Sequence, residues 1–137
     1  MAAQGKEIEV TVAEVVDYLR VTGQFTPTLR EVVERKLTAQ AARKSRVRVT
    51  AAELQRAADV FRAVNDLSKA SDTQRWLRSN GITLEALEGY LETNILISKF
   101  KDTLEKKTNK TKYLTASAVK EAVREMVYRD WLNSQMK

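Results

Sequence analysis

SNGITLEALEGYLETNILISKF, residues 79–100, decides how the chain folds. Gly81 suits the left-handed residue that ends one helix, and Thr83 suits the cap that opens the next. From Leu84 onward, Leu84, Leu87, Leu91 and Ile95 recur at helical spacing. Tyr90, Leu96, Ile97 and Phe100 point elsewhere on the same helix. A surface helix needs only one apolar stripe of about 100°. This helix therefore lies centrally: the first set is expected to face the N-terminal helices. Leu96, Ile97 and Phe100 are expected to meet a returning C-terminal helix through Met126, Val127 and Trp131.

The same punctuation recurs along the chain. Thr11 with Glu14 and Thr50 with Glu53 read as capping boxes, each preceded by a Val able to staple onto the first turn. Thr83 and Thr115 repeat the staple without Glu three residues on. Thr26-Pro27 puts proline at a first helical position, and Ser71 with Gln74 marks another start. Gly23 and Gly81 read as stops. These signals predict an all-α fold, a single domain of about six helices over 12–21, 27–44, 51–68, 72–79, 84–107 and 116–135. Residues 6–10, KEIEV, alternate as a brief edge strand would, and residues 1–7 read as a flexible N-terminus. Residues 106–114 read as a Lys-rich solvated loop.

Composition narrows the chemistry. A chain of 137 residues can bury roughly two-thirds of its unfolded surface in one domain. Four Gly and one Pro are few for a sheet-rich protein. With no Cys and no His, thiolate nucleophiles and disulfides are excluded, together with the usual neutral-pH base and the commonest transition-metal ligand. We therefore expect no enzyme, no cofactor and no metal. Glu85, Glu88 and Glu92 share a helix face, but without His they read as solvated. Ser117 and Lys120 have the spacing of an S-x-x-K motif, a signal of little weight at a helix start. No apolar run approaches the ~20 residues of a membrane span. The N-terminus shows no secretory signal, so the chain as written reads as cytoplasmic.

Two features invite a partner. The aromatics are spread over the helices, where core packing is the plain explanation. A groove accepting apolar segments of another chain is the sharper one. Its candidate lining is Phe61, Trp76, Tyr90, Ile97, Phe100, Tyr128 and Trp131. The formal charge of +6 concentrates partly at Arg43, Lys44, Arg46 and Arg48. This cluster reads as a solvated helix end favoured by the C-terminal dipole, or as a basic rim steering acidic partners. No recognition-helix pattern or Gly-rich phosphate loop supports a nucleic-acid role, which stays as an alternative. So does an accessory subunit using an apolar patch for a protein partner or a homodimer.

The order of elements also carries a resemblance. VTVAEVVDYLRVTGQFTPTLREVVERKLTAQAARKSRVRVTAAELQRAADVFR resembles the N-terminal region of bacterial SurA-like chaperones and parvulin-type peptidylprolyl isomerases, the trigger factor/SurA type of peptide-binding domain. SDTQRWLRSNGITLEALEGYLETNILISKFKDTL is similar to their short helix, Gly turn and long helix. ASAVKEAVREMVYRDWLNSQMK is similar to the distal helix that completes the chaperone core. The resemblance spans residues about 8–135. The parvulin domain that relatives carry between the last two helices is absent, since only about ten mostly polar residues separate Leu104 from Thr115. The resemblance thus implies a non-catalytic module holding unfolded or extended client polypeptide during folding, maturation or export. It also implies a periplasmic or exported setting as an alternative to the cytoplasm.

Overall fold

A computed structural model describes residues 8–107 and 120–136 and is built from six α-helices: α1 Val12–Val21, α2 Phe25–Lys44, α3 Ala51–Val64, α4 Ala70–Asn80, α5 Leu84–Lys107 and α6 Lys120–Gln135. The fold is all-α and forms one domain, with no strand among the described residues. Of the brief strand expected over 6–10, Ile8 is a lone bridge residue and Glu9 and Val10 are irregular. Residues 6 and 7, 108–114 of the Lys-rich segment, and the helix start expected at 116 with Ser117 lie outside the described residues. Lys106 and Lys107 are the last turn of α5.

Side chains close the starts of α1, α3 and α5 as the sequence reads. The Thr11 hydroxyl accepts from Glu14 N–H at 3.1 Å, and the Glu14 carboxylate accepts from Thr11 N–H at 3.3 Å. Thr50 and Glu53 exchange the same bonds at 3.1 and 2.9 Å. Thr83 accepts from Ala86 N–H at 3.1 Å. Two starts shift. Helix α4 begins at Ala70 rather than 72, because Asp72 in its first turn accepts from the Lys69 N–H at 3.1 Å. Helix α2 begins at Phe25, two residues before Pro27. Proline is tolerated there because the first-turn N–H groups have no intrahelical acceptor. Arg20 lies 4.5 Å over the Phe25 ring and covers that start.

The ends of α1, α2, α3 and α4 share one device. Gly23 and Gly81 have φ of 77° and 62°, and the residues after them return to the helix through Gln24 N–H to Leu19 O and Ile82 N–H to Leu77 O, at 2.8 and 3.0 Å. Arg46 and Asp66 adopt the same left-handed conformation, φ 64° and 56°. Val47 and Leu67 then bond back to Ala42 O and Arg62 O at 2.9 and 2.7 Å. Helix α3 therefore stops at Val64, short of 68, because the turn folds Leu67 inward to 8% exposure. A side chain in the left-handed region costs about 1–2 kcal/mol. Asp66→Gly should recover about 1 kcal/mol of it, read as a higher midpoint in thermal or urea unfolding.

Helix α5 divides the interior into two apolar clusters. On one side, Leu87 and Leu91 meet Leu77 of α4, with Leu54, Ala57, Ala58 and Phe61 of α3 around them. On the other, Leu96 and Phe100 meet Ala39 and Ala42 of α2, flanked by Leu104 and Trp131. The small Ala pair lets the α2 and α5 backbones approach. Helix α6 returns onto α2 and α5: Leu132 is 1% exposed, and Tyr128 and Thr38 share a buried hydroxyl–hydroxyl hydrogen bond of 2.9 Å. Arg129 pairs with Glu34 at 3.2 Å, and Lys101 with Glu125 at 2.9 Å.

Two expectations for α5 need correction. Leu84 is 46% exposed and faces water rather than the N-terminal helices. Met126 is 51% exposed, so Leu96 and Phe100 meet α6 through Trp131, and meet α2 as well.

Candidate functional site

A cleft runs between α3 and α5, with a volume of about 700 Å³. Ala57, Val60, Phe61 and Val64 line it from α3, and Leu91, Asn94, Ile95 and Ser98 line it from α5. Each set follows the i, i+3, i+4, i+7 spacing, so each helix turns one complete face of two turns toward the space between them. Val60 and Val64 are exposed at 61% and 78%, and Tyr90 on the opposite lip at 51%. Phe61 and Leu91 form the deeper wall. The cleft is open, chiefly apolar and wide enough for side chains of another chain.

Its ends are polar. At one, the Lys99 ammonium donates to the Arg48 carbonyl at 2.7 Å and to the Glu53 carboxylate at 2.6 Å. Glu53 also accepts from the Thr50 N–H. The Lys99 bond foremost, then that backbone bond, hold the Glu53 pKa down from about 4.5 to about 2. The folded value lies below the unfolded one, so the ionised carboxylate stabilises the fold above pH about 4.5. That contribution disappears as the pH falls through about 2. Glu53→Gln keeps the shape but cannot ionise. It should lower the thermal midpoint at neutral pH and converge on the parent near pH 2, whereas a deficit independent of pH would contradict this. Beyond the Tyr90 lip, Arg35 stacks 4.8 Å from its ring and donates to Asn94 at 2.7 Å, fixing the orientation of both.

The seven aromatic and apolar side chains singled out in the sequence divide among four places. Phe61 and Tyr90 line the cleft. Trp76 stands behind Phe61, edge to face at 5.1 Å, and supports it without lining the space. Ile97 lies on the far side of α5, in a polar furrow with Arg35, Arg124 and Glu125. Phe100, Trp131 and Tyr128 belong to the α2–α5–α6 interior: Phe100 meets Trp131 at 5.1 Å, Trp131 stacks on Tyr128 at 6.5 Å, and Phe100 and Tyr128 are 5% and 6% exposed. Their burial keeps them out of the cleft.

The basic residues cluster at the end of α2. Arg43 pairs with Glu92 at 3.3 Å, Lys44 is exposed, and Arg46 occupies the left-handed turn. Only the Arg48 main chain touches a lining residue of the cleft, through Lys99.

Val60, Val64, Asn94 and Ser98 line the cleft without having been singled out as site residues. The available signal was the arc on α3, where Val60 widens the stripe of Ala57, Phe61 and Val64 beyond what one neighbour can cover. Among the described residues no cluster of His, Cys, Asp or Glu could hold a metal ion. Glu85 and Glu88 are exposed, and Glu92 is occupied by Arg43. No helix of the described residues is long and apolar enough to cross a membrane. Comparison of the chain with protein-family models, with curated proteins and with solved structures gives no significant match.

Proposed function

We propose that the chain is a non-catalytic holding module that binds apolar segments of client polypeptide in the α3–α5 cleft. The carrying observation is the open cleft between the faces Ala57 to Val64 and Leu91 to Ser98, walled by Phe61 and Leu91 and lipped by the exposed Val60, Val64 and Tyr90. An amphipathic segment laid between them would bury its apolar side chains against both. The resemblance to the peptide-binding part of SurA-like chaperones favours the same reading, with folding, maturation or export of a polypeptide as its setting. The absence of a parvulin segment and of Cys and His favours binding without chemistry. Arg48 and its basic neighbours, beside the Lys99 end, would speed the encounter with acidic flanks of a client without adding to the hold itself.

Binding rests on apolar burial, so salt should affect it little. A permanently unfolded, reduced client protein should aggregate more slowly when this protein is added in stoichiometric amount, equally at low and high salt. Unchanged aggregation would refute the proposal. Protection that collapses with salt, together with a gel shift on nucleic acid, would transfer the function to the basic cluster.

A further inference from the structure

Arg35 carries a charge that no carboxylate answers. It is half-buried, and its partners are neutral: the Asn94 side-chain oxygen at 2.7 Å, the Tyr90 carbonyl at 3.4 Å and the Tyr90 ring at 4.8 Å. It forms no ion pair with any described residue. A charge withdrawn from water is ordinarily compensated by one of opposite sign.

Arg35 borders a hollow of about 250 Å³ between α2 and α5. Lys36, Ala39, Gln40, Arg43 and Thr93 line it too, and no carboxylate does. The helical period explains this convergence. Arg35, Ala39 and Arg43 follow one another at i, i+4 and i+8, with Lys36 and Gln40 beside them on the same face. Ala39 is 5% exposed, and its methyl group leaves the space that a longer side chain would fill. The two arginines start about 12 Å apart along the axis, so their guanidinium groups can close on a small group above Ala39 from both ends. The Gln40 and Thr93 side chains make no hydrogen bond to another described residue. Arg43 shares its charge with Glu92 at 3.3 Å, while Lys36 forms no ion pair with any described residue. Three cations against one carboxylate leave an excess of two positive charges at the hollow.

We propose that this hollow binds the phosphoryl group of a small phosphate monoester. A monoester carries a charge of about −1.5 to −2 at neutral pH and has three terminal oxygens, which matches that excess. Guanidinium groups meet phosphate through paired N–H bonds. Arg35 is already held by Asn94 and Tyr90 and has N–H groups to spare, so it loses little freedom in binding. Lys36 adds a movable point charge, and Gln40 and Thr93 donate to the remaining oxygens. A phosphodiester, as in a nucleic-acid backbone, fits less well, because it offers one charge and two terminal oxygens to three cations. The hollow lies on the α2 flank of α5 and the cleft on its α3 flank, so this site does not rest on the client-holding reading.

NMR titration of the labelled full chain at constant ionic strength tests this, with methyl phosphate as the monoester and dimethyl phosphate as the diester. Methyl phosphate should shift the Gln40 side-chain amide and the Lys36, Arg43 and Thr93 backbone amides saturably, with a dissociation constant of about 1 mM or below. Dimethyl phosphate should bind at least about tenfold more weakly. Arg35→Gln and Arg43→Gln should each weaken methyl phosphate binding at least about fivefold. Lys107→Gln, about 21 Å along α5 from Thr93, should change nothing. Glu92→Gln should tighten binding about threefold, because it releases Arg43. Should Arg35→Gln disturb the fold, Lys36→Gln at an exposed position takes its place. Shifts that never saturate, equal binding of the diester, an equal loss in Lys107→Gln, or a Glu92→Gln protein that binds no better would each overturn the proposal. No client enters this measurement, so its failure and that of the client-holding reading are told apart.

Discussion

Leu96→Ala should cost about 3 kcal/mol of folding stability and lower the thermal midpoint by roughly 10 °C, within the range for buried Leu deletions. Leu96 is 2% exposed, between Ala39 and Ala42 of α2 on one side and the Phe100–Trp131 pair on the other. Removing its isobutyl group leaves a void that these neighbours refill poorly. The two alanines have no side chain to extend, and Phe100 and Trp131 are held edge to face. Leu84→Ala on the same helix is the control. At 46% exposure it should cost within about 0.5 kcal/mol. Urea unfolding of the two variants beside the parent checks both numbers. Equal losses would mean that α5 does not divide the interior as described.

Val60→Asp with Val64→Asp should weaken holding of an uncharged apolar client about thirtyfold, equivalent to ~2 kcal/mol, while leaving the fold intact. Both side chains stand on the outer lip of the cleft, exposed at 61% and 78%, so two carboxylates there stay hydrated in the free protein. A docked client would bury them against apolar groups; Arg56, one turn before position 60, can pair with the first carboxylate, but the second has no cation in the cleft, since Lys99 is already committed to Glu53. An ion desolvated without a partner costs several kcal/mol, and this penalty adds to the lost contact of two valines. Arg43→Glu with Arg46→Glu, at the end of α2, should change holding of the same client by less than about threefold. Fluorescence anisotropy of a labelled apolar peptide separates the two cases. The prediction fails if the cleft variant binds like the parent.

The helix count and the central place of α5 were legible because capping boxes and an over-wide apolar arc are local properties of sequence. What each side of α5 would touch was not. Ala39 and Ala42 look neutral in any hydropathy pattern, yet their smallness lets α2 come close enough to cover Leu96. Nothing local in the sequence pairs Thr38 with Tyr128; the fold brings their hydroxyls together. Leu84 carries the period of the inner stripe but sits in the first turn of α5, where it stays exposed.

The end of α3 was obscured for a related reason. Asp66 has no glycine's mark as a stop, and it takes the left-handed turn because Leu67 gains burial by it. Within the cleft, Phe61 and Tyr90 could be singled out as aromatics. Val60 and Val64 had a weaker mark: Val60 widens the α3 arc, but an aliphatic residue lining an open cleft has the same periodicity as one inside a core. Phe100, Trp131 and Tyr128 show the converse: the aromatic character that suggested binding serves the packing of α6 onto α5.

Amide chemical-shift mapping of the labelled protein, titrated with an unfolded apolar client, tests the central claim most directly. The cleft account predicts perturbations along Ala57–Val64 and Tyr90–Ser98, saturating with client and insensitive to salt. No shifts at excess client, or shifts confined to Arg43–Arg48 or to the α6 surface, would contradict it.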